Sequence, residues 1–196
     1  MRPHTLTLGV LLLAGLPAVA PGHNGHHPKP KPASFEKVQL RIPDTPLRDQ
    51  EGRPVHFYSD LVRGKVVAVN FVFTSCTTVC LPMGAGFGKL RTMLGDKAGK
   101  DVHLISVSVD PATDTPAKLK AWSQKFGAGR GWTLVTGDRD EVTRLLKSLG
   151  AYAPNPEAHS PLVLLGNDAS GEWTRANGLS TPAQLAALLD GLGGKR

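Results

Sequence analysis

Cys76 and Cys80 are the chain's two cysteines, and they stand four residues apart directly after the apolar run Val-Val-Ala-Val-Asn-Phe-Val-Phe at 66–73. Such a run suits a strand buried on both faces. In open α/β sheets, ligands bind beyond the carboxyl ends of the strands. A helix over about 78–94 is expected next, with both thiols near its first turn, where the helix dipole favours thiolate. At i, i+4 the two sulfurs share one helical face, with Cα atoms roughly 6 Å apart. That spacing permits a disulfide and equally a shared metal ion. Three chemistries stay open: a structural disulfide, a dithiol redox couple and a soft-metal site. The disulfide would close a very small loop and remove about 2 kcal/mol of unfolded-chain entropy. The redox reading meets three intervening residues where the usual motif has two.

Two thiolates leave a metal under-coordinated, so a third ligand is wanted. The body of the chain offers His56, His103 and His159. His56 falls in a lead-in hairpin and His103 begins a strand, so both read as structural or surface residues. His159 lies in the proline-bearing loop 152–160, just before an apolar strand at 162–165, and that loop can approach the strand end that carries the cysteines. Met83, one turn beyond Cys80, reads as core or rim, with a weaker claim as a soft ligand. Two thiolates with one imidazole suit Cu(I), which accepts low coordination; a closed zinc site normally takes four ligands.

The elements that must position these residues are legible along the body. Strands are expected at 35–40 and 55–58, around a turn at Asp49-Gln50-Glu51-Gly52, and at 66–73, 102–109, 162–165 and 173–176. Thr115-Pro116 reads as an N-cap with Pro at N1, followed by Leu119, Trp122 and Phe126 on one face. Asp138 caps a helix with Val142, Leu145, Leu146 and Leu149, and Thr181-Pro-Ala-Gln184 is a capping box. The order β-α-β-α-β-β-α, with a β-rich lead-in, predicts a single α/β sandwich around a central sheet.

The 196 residues suit one domain. Residues 1–22 read as a signal peptide or N-terminal anchor: Arg2, an apolar core at 6–16, and the A-x-A pattern Ala18-Val19-Ala20. The core is shorter than the ~18 residues of a membrane span, and Pro21 is unfavourable just after a cleavage site. Residues 23–33, His-Asn-Gly-His-His-Pro-Lys-Pro-Lys-Pro-Ala, read as an extended tether. Its His23, His26 and His27 can hold Cu or Zn, or serve only as polar spacers. The folded body is assigned to 34–196. The formal net charge is +7, but Arg2, Lys29 and Lys31 supply three of it with no acid before residue 34. The remaining +4, without a Lys/Arg-rich helix, argues against a nucleic-acid binder and leaves weak steering toward an acidic partner or membrane surface.

From about Leu47 to Leu192 the chain resembles the Sco/SenC copper-chaperone family, a branch of the thioredoxin-like fold. The matching residues are Leu47-Arg-Asp-Gln-Glu-Gly, Gly64-Lys65, Phe73-Thr-Ser-Cys-Thr-Thr-Val-Cys, Ser108-Val-Asp-Pro-Ala-Thr-Asp-Thr-Pro116 and Ala158-His-Ser. The resemblance implies a thioredoxin-like sandwich, a central mixed β-sheet flanked by helices, with an N-terminal β-hairpin extension. It matches Cys76, Cys80 and His159 to the copper ligands, for Cu(I) or Cu(II). It implies a protein that delivers copper to the dinuclear centre of cytochrome c oxidase subunit II or to another copper protein, and the leader at 1–22 makes it exported, periplasmic or on the outer face of the cytoplasmic membrane. The alternatives are a thiol–disulfide oxidoreductase, with Cys76 and Cys80 catalytic, that reduces that centre's cysteines, and a copper or redox sensor. Where the family usually has Pro, an acidic residue and, after the second Cys, another Pro, this chain has Thr77, Thr78 and Leu81. A freer, less acidic loop is therefore expected. Pro161 stands where thioredoxin-like reductases often place a cis-proline.

Overall fold

The computed structural model describes residues 35–194. The described residues build one eight-stranded sheet and four α-helices. The strands are β1 Glu36–Val38, β2 Pro46–Asp49, β3 Pro54–His56, β4 Val66–Val72, β5 Val102–Ser108, β6 Trp132–Thr136, β7 Leu162–Asn167 and β8 Glu172–Asn177. The helices are α1 Cys80–Leu94, α2 Pro116–Gln124, α3 Arg139–Ser148 and α4 Pro182–Gly193. Strand order is β1-β8-β7-β4-β5-β6-β2-β3. The pairs β4–β5 and β5–β6 are parallel and the others antiparallel, giving the mixed sheet of the thioredoxin-like sandwich.

Central β4 is buried at all seven positions, as its unbroken apolar pattern requires of a strand covered on both faces. Helices α1, α2 and α4 pack one face through Phe87, Leu90, Leu119, Trp122, Leu185 and Leu189. Helix α3 and a helical turn at Phe57–Val62 pack the other. The three capping signals hold. Thr115 accepts from the Lys118 amide, Asp138 from the Asp140 and Glu141 amides, and Thr181 with Gln184 closes a capping box.

Three expectations are corrected. The strand β6 was not foreseen. It is only five residues long, opens on Trp132 and follows Gly129-Arg130-Gly131, so its apolar run is too brief to stand out. It nonetheless carries β5 on one side and the hairpin on the other. The hairpin is built by β2 and β3, whereas the expected strand at 35–40 is shortened to β1 and crosses to the opposite sheet edge, beside β8. Finally, no cis peptide bond occurs among the described residues, the bond before Pro161 included.

Two glycines in α1 permit its close packing. A Cβ at Gly84 would stand 2.6 Å from the Phe126 ring and 2.8 Å from Trp122, and one at Gly88 would stand 2.2 Å from the Phe126 carbonyl oxygen. Side chains there would push α1, and Cys80 with it, off the segment that follows α2.

Candidate metal centre

Strand β4 ends at Val72, and the chain turns through 73–79 before α1 begins at Cys80. Cys76 therefore lies in the loop before the helix, and the expectation that both thiols share a helical face is corrected. The geometry is more specific than that expectation. Val79, at the N-cap, offers no side-chain cap. Instead the Cys80 amide, the first of the helix, donates to the Cys76 sulfur at 3.4 Å. The Cys76 thiol also lies 3.6 Å from the Thr78 hydroxyl. Both cysteines are free thiols, exposed by 6% and 0%.

These contacts set the two thiols apart. Burial pushes Cys76 up. Hydrogen bonds from the Cys80 thiol, the Thr78 hydroxyl and the amides of Cys80 and Thr78 outweigh it and leave Cys76 below the ordinary thiol value. For Cys80, burial acts first, and the hydrogen bond to Cys76 and the charges of Cys76 and Asp114 add to it. The Phe73 amide opposes them, and the thiol is pushed up to about 12. The pair is thus a thiolate-prone Cys76 at a helix N-terminus beside a protonated, buried Cys80.

His159 joins them from across the sheet. It follows the short 3₁₀ turn Pro156–Ala158, which Asn155 caps by accepting from the Glu157 amide. The imidazole is only 6% exposed. Its Nδ1 lies 2.7 Å from the Pro156 carbonyl oxygen, which can only accept. The proton is therefore assigned to Nδ1, and Nε2 carries the free lone pair. Nε2 faces the Cys80 sulfur at 3.9 Å. Phe73, buried beside it, meets the ring edge-on with centroids 5.5 Å apart.

The structure sets Cys76 against Cys80 and Cys80 against His159, all three buried. Among the described residues no three such groups converge on one ligating point. Cys80 and His159 face each other, while the Cys76 sulfur is turned to Thr78 and the Cys80 amide. The donor set fits copper: two soft sulfurs, and an imidazole nitrogen freed by a backbone carbonyl that holds the other nitrogen. Met83 is buried core, its Cε packed where a Cβ at Gly178 would stand 2.8 Å away. His56 is exposed beside Asp44. His103 lines a cavity of about 560 Å³ with Lys65, Lys100 and Asn167, at the opposite end of the sheet. His23, His26 and His27 lie outside the described residues.

Sequence reasoning missed three contributors. Thr78, flagged only as a departure from the family, supplies a hydrogen bond to Cys76. Phe73 packs the His159 ring. Asp114, read only as part of a motif, is 1% exposed beneath the thiol loop.

A thioredoxin-like sandwich with a dithiol and a histidine at the carboxyl end of its central strand is the class that this fold and site define. The chain belongs to the SCO1/SenC family, whose model matches residues 43–190. It is 34% identical over 121 residues to the SCO1 protein homolog of Bacillus subtilis. That match covers 60% of this chain, and the chain spans 61% and 66% of the lengths of the two curated relatives it matches. Among solved structures it is similar to a SCO1/SenC family lipoprotein from Bacillus anthracis, at 28% identity and TM-score 0.68 over 80% of this chain and 97% of that one. It is similar to BsSco, a Sco-family cytochrome c oxidase assembly protein with a disulfide switch, at 27% identity and TM-score 0.68 over 82% and 98%. It is also similar to copper-bound ScoI of Bradyrhizobium japonicum, at 27% identity and TM-score 0.64 over 78% and 99%.

Proposed function

We propose that the chain is a copper metallochaperone: Cys76, Cys80 and His159 hold one copper ion and pass it to the dinuclear copper centre of a cytochrome c oxidase during assembly. The observation that carries this reading is the facing pair Cys80 Sγ and His159 Nε2, 3.9 Å apart, with the imidazole oriented by Pro156. Family membership supports it, as does copper in the Bradyrhizobium relative. Copper is cargo here. Its uptake displaces the proton of Cys80 and leaves Cys76, already thiolate-prone, to complete the donor set. Three ligands suit a site that must give its metal up, because a free coordination position lets an acceptor thiolate attack before release. We further read residues 1–22 as the export signal or anchor and 23–33 as the tether, which places 34–196 on the periplasmic side. No described helix is long and apolar enough to cross a membrane.

The test is competition of the reduced, anaerobic protein for Cu(I) against a chromophoric chelator. Wild type should bind one equivalent. Cys76→Ser and His159→Ala should each weaken binding by about 10- to 100-fold or more, since losing even an outer-shell partner has that effect at metal sites. Two variants that compete as well as wild type would show the assignment to be wrong.

The unequal thiols favour a second reading, a dithiol reductant of the acceptor's cysteines. The Cys76 thiolate attacks a partner disulfide to form a mixed disulfide. The Cys80 thiol, once deprotonated, resolves it, leaving Cys76–Cys80 oxidised by two electrons and the partner as a dithiol. Metal-free protein would then reduce the partner catalytically, and His159→Ala would keep that activity.

A further inference from the structure

Besides the Cys76 sulfur, which accepts from the Cys80 amide, the loop that carries Cys76 is tied to the rest of the fold by a hydrogen-bonded side chain at its start. Within 74–79, the Cys76 amide donates to the Phe73 carbonyl at 3.3 Å and Thr78 turns back to Cys76. The exception is Thr74, which donates twice to one oxygen of Asp114, from its amide at 3.0 Å and its hydroxyl at 2.6 Å. The other Asp114 oxygen accepts from the Ser108 hydroxyl at 2.6 Å, and the Ser108 oxygen in turn accepts from the Asp110 amide at 3.1 Å. Three uncharged donors thus reach the carboxylate. A buried carboxylate keeps its place only where its oxygens are hydrogen-bonded, and here both are.

Asp114 is itself fixed from behind. Its amide donates to the Asp110 carbonyl at 2.9 Å, and Thr115 next to it caps α2. The segment Asp110-Pro-Ala-Thr-Asp-Thr-Pro116 thus folds into a bracket between the end of β5 and the start of α2, with one carboxylate projecting under the thiol loop.

We propose that Asp114 is a positioning residue for the dithiol. By clamping both donors of Thr74, it sets the path of the 74–79 loop and hence the placement of Cys76 against Cys80 and His159. The bracket ties the rigid end of β5 to the start of the loop, while Cys76 and Val79 pack against the core at its other end. Thr77 and Thr78 are exposed and lack the stiffening of a proline, so the clamp carries the ordering of this loop. The proposal deepens the reading of Cys76 and Cys80 as the working pair, and it rests on that reading.

The test uses metal-free full-length protein and three variants, Asp114→Asn, Thr74→Val and Ser108→Ala. Thermal melts confirm that each is folded. The dithiol–disulfide equilibrium against glutathione and the amide spectrum are then read at 25 °C. Asp114→Asn exchanges one accepting oxygen for a donating amide, so the side chain no longer accepts on both arms, and it should shift the equilibrium at least fivefold. Thr74→Val should move the amide signals of Ser75 to Cys80, and Thr74→Val combined with Asp114→Asn should shift the equilibrium no further than Asp114→Asn alone. Ser108→Ala breaks the other arm and should lower the melting temperature while leaving the equilibrium within twofold. An Asp114→Asn variant with an unchanged equilibrium, or a Ser108→Ala variant that shifts it as much, overturns the proposal. Neither readout involves copper. A clamp that behaves as expected in a protein that fails the Cu(I) titration would sink the chaperone reading and leave the clamp standing.

Discussion

The raised thiol of Cys80 should make the reduced protein lose stability in alkali by an amount that can be stated in advance. Folding lifts this thiol from an ordinary 9.0 to about 12, mainly through burial. A group raised by folding contributes stability that is whole below its unfolded value and is lost as pH climbs to its folded one. The window therefore runs from about pH 9 to about 12. At about 1.36 kcal/mol per unit, the gap corresponds to about 4 kcal/mol across the window and about 2 kcal/mol between pH 9 and 10.5. Cys76 has the opposite sign. Its value falls on folding, so its contribution is present above about 9 and is lost as pH drops through the folded value. Lysines and tyrosines also titrate in alkali, so the quantity to measure is the difference between wild type and Cys80→Ala. Urea unfolding under a phosphine reductant at pH 8, 9, 10 and 10.5 gives that difference directly. It should fall by about 2 kcal/mol between pH 9 and 10.5 in favour of the variant. A difference that stays constant across the series would refute the assignment of a protonated, desolvated Cys80. The proton that the proposed copper uptake displaces would then have to be found elsewhere.

Brief alkylation of the reduced protein at pH 7.5 should label Cys76 well ahead of Cys80, read by peptide mass mapping, because the former is thiolate-prone and the latter protonated and fully buried. Thr78→Val should slow that labelling by removing one hydrogen bond to the sulfur. Gly88→Ala should destabilise the fold by about 1–3 kcal/mol in urea, since its Cβ meets the Phe126 carbonyl oxygen. Gly86→Ala, with open space around its Cβ, should gain up to about 1 kcal/mol from helix propensity alone. His103→Gln should leave the Cu(I) titration unchanged, because that residue lines a cavity at the far end of the sheet.

What could be read from the sequence follows from how local each signal is. The β4 run, the Thr115, Asp138 and Thr181 caps and the heptad-like leucines of α3 and α4 act within a few residues, and each is found where the pattern places it. His159 could be chosen over His56 and His103 because a loop before an inner strand must open at a sheet end. The rest depends on partners distant in the chain. The short β6 exists because β5 and β2 flank it, and its own five residues announce little. The position of β1 is decided by pairing with β8, about 140 residues later. The helical reading of Cys76 failed because spacing alone cannot say where a helix begins; the amide that donates to its sulfur decides that. Asp114 could be recognised as part of a motif, but its carboxylate acquires a task only when β4 and β5 end side by side.

The glycine face of α1 has a consequence for the tolerance of the site. A helix resting on ordinary side chains can slide or roll by small amounts as its neighbours change rotamer. Here bare backbone at Gly84 and Gly88 lies against the Phe126 ring and carbonyl oxygen, with no room for a Cβ between them, so the helix fits like a key in a slot. Gly88 is roughly 12 Å along the axis from Cys80 at 1.5 Å per residue. The setting of one sulfur is thus fixed by a notch in the hydrophobic interior two turns away, and the margin for error at the centre is inherited from that notch.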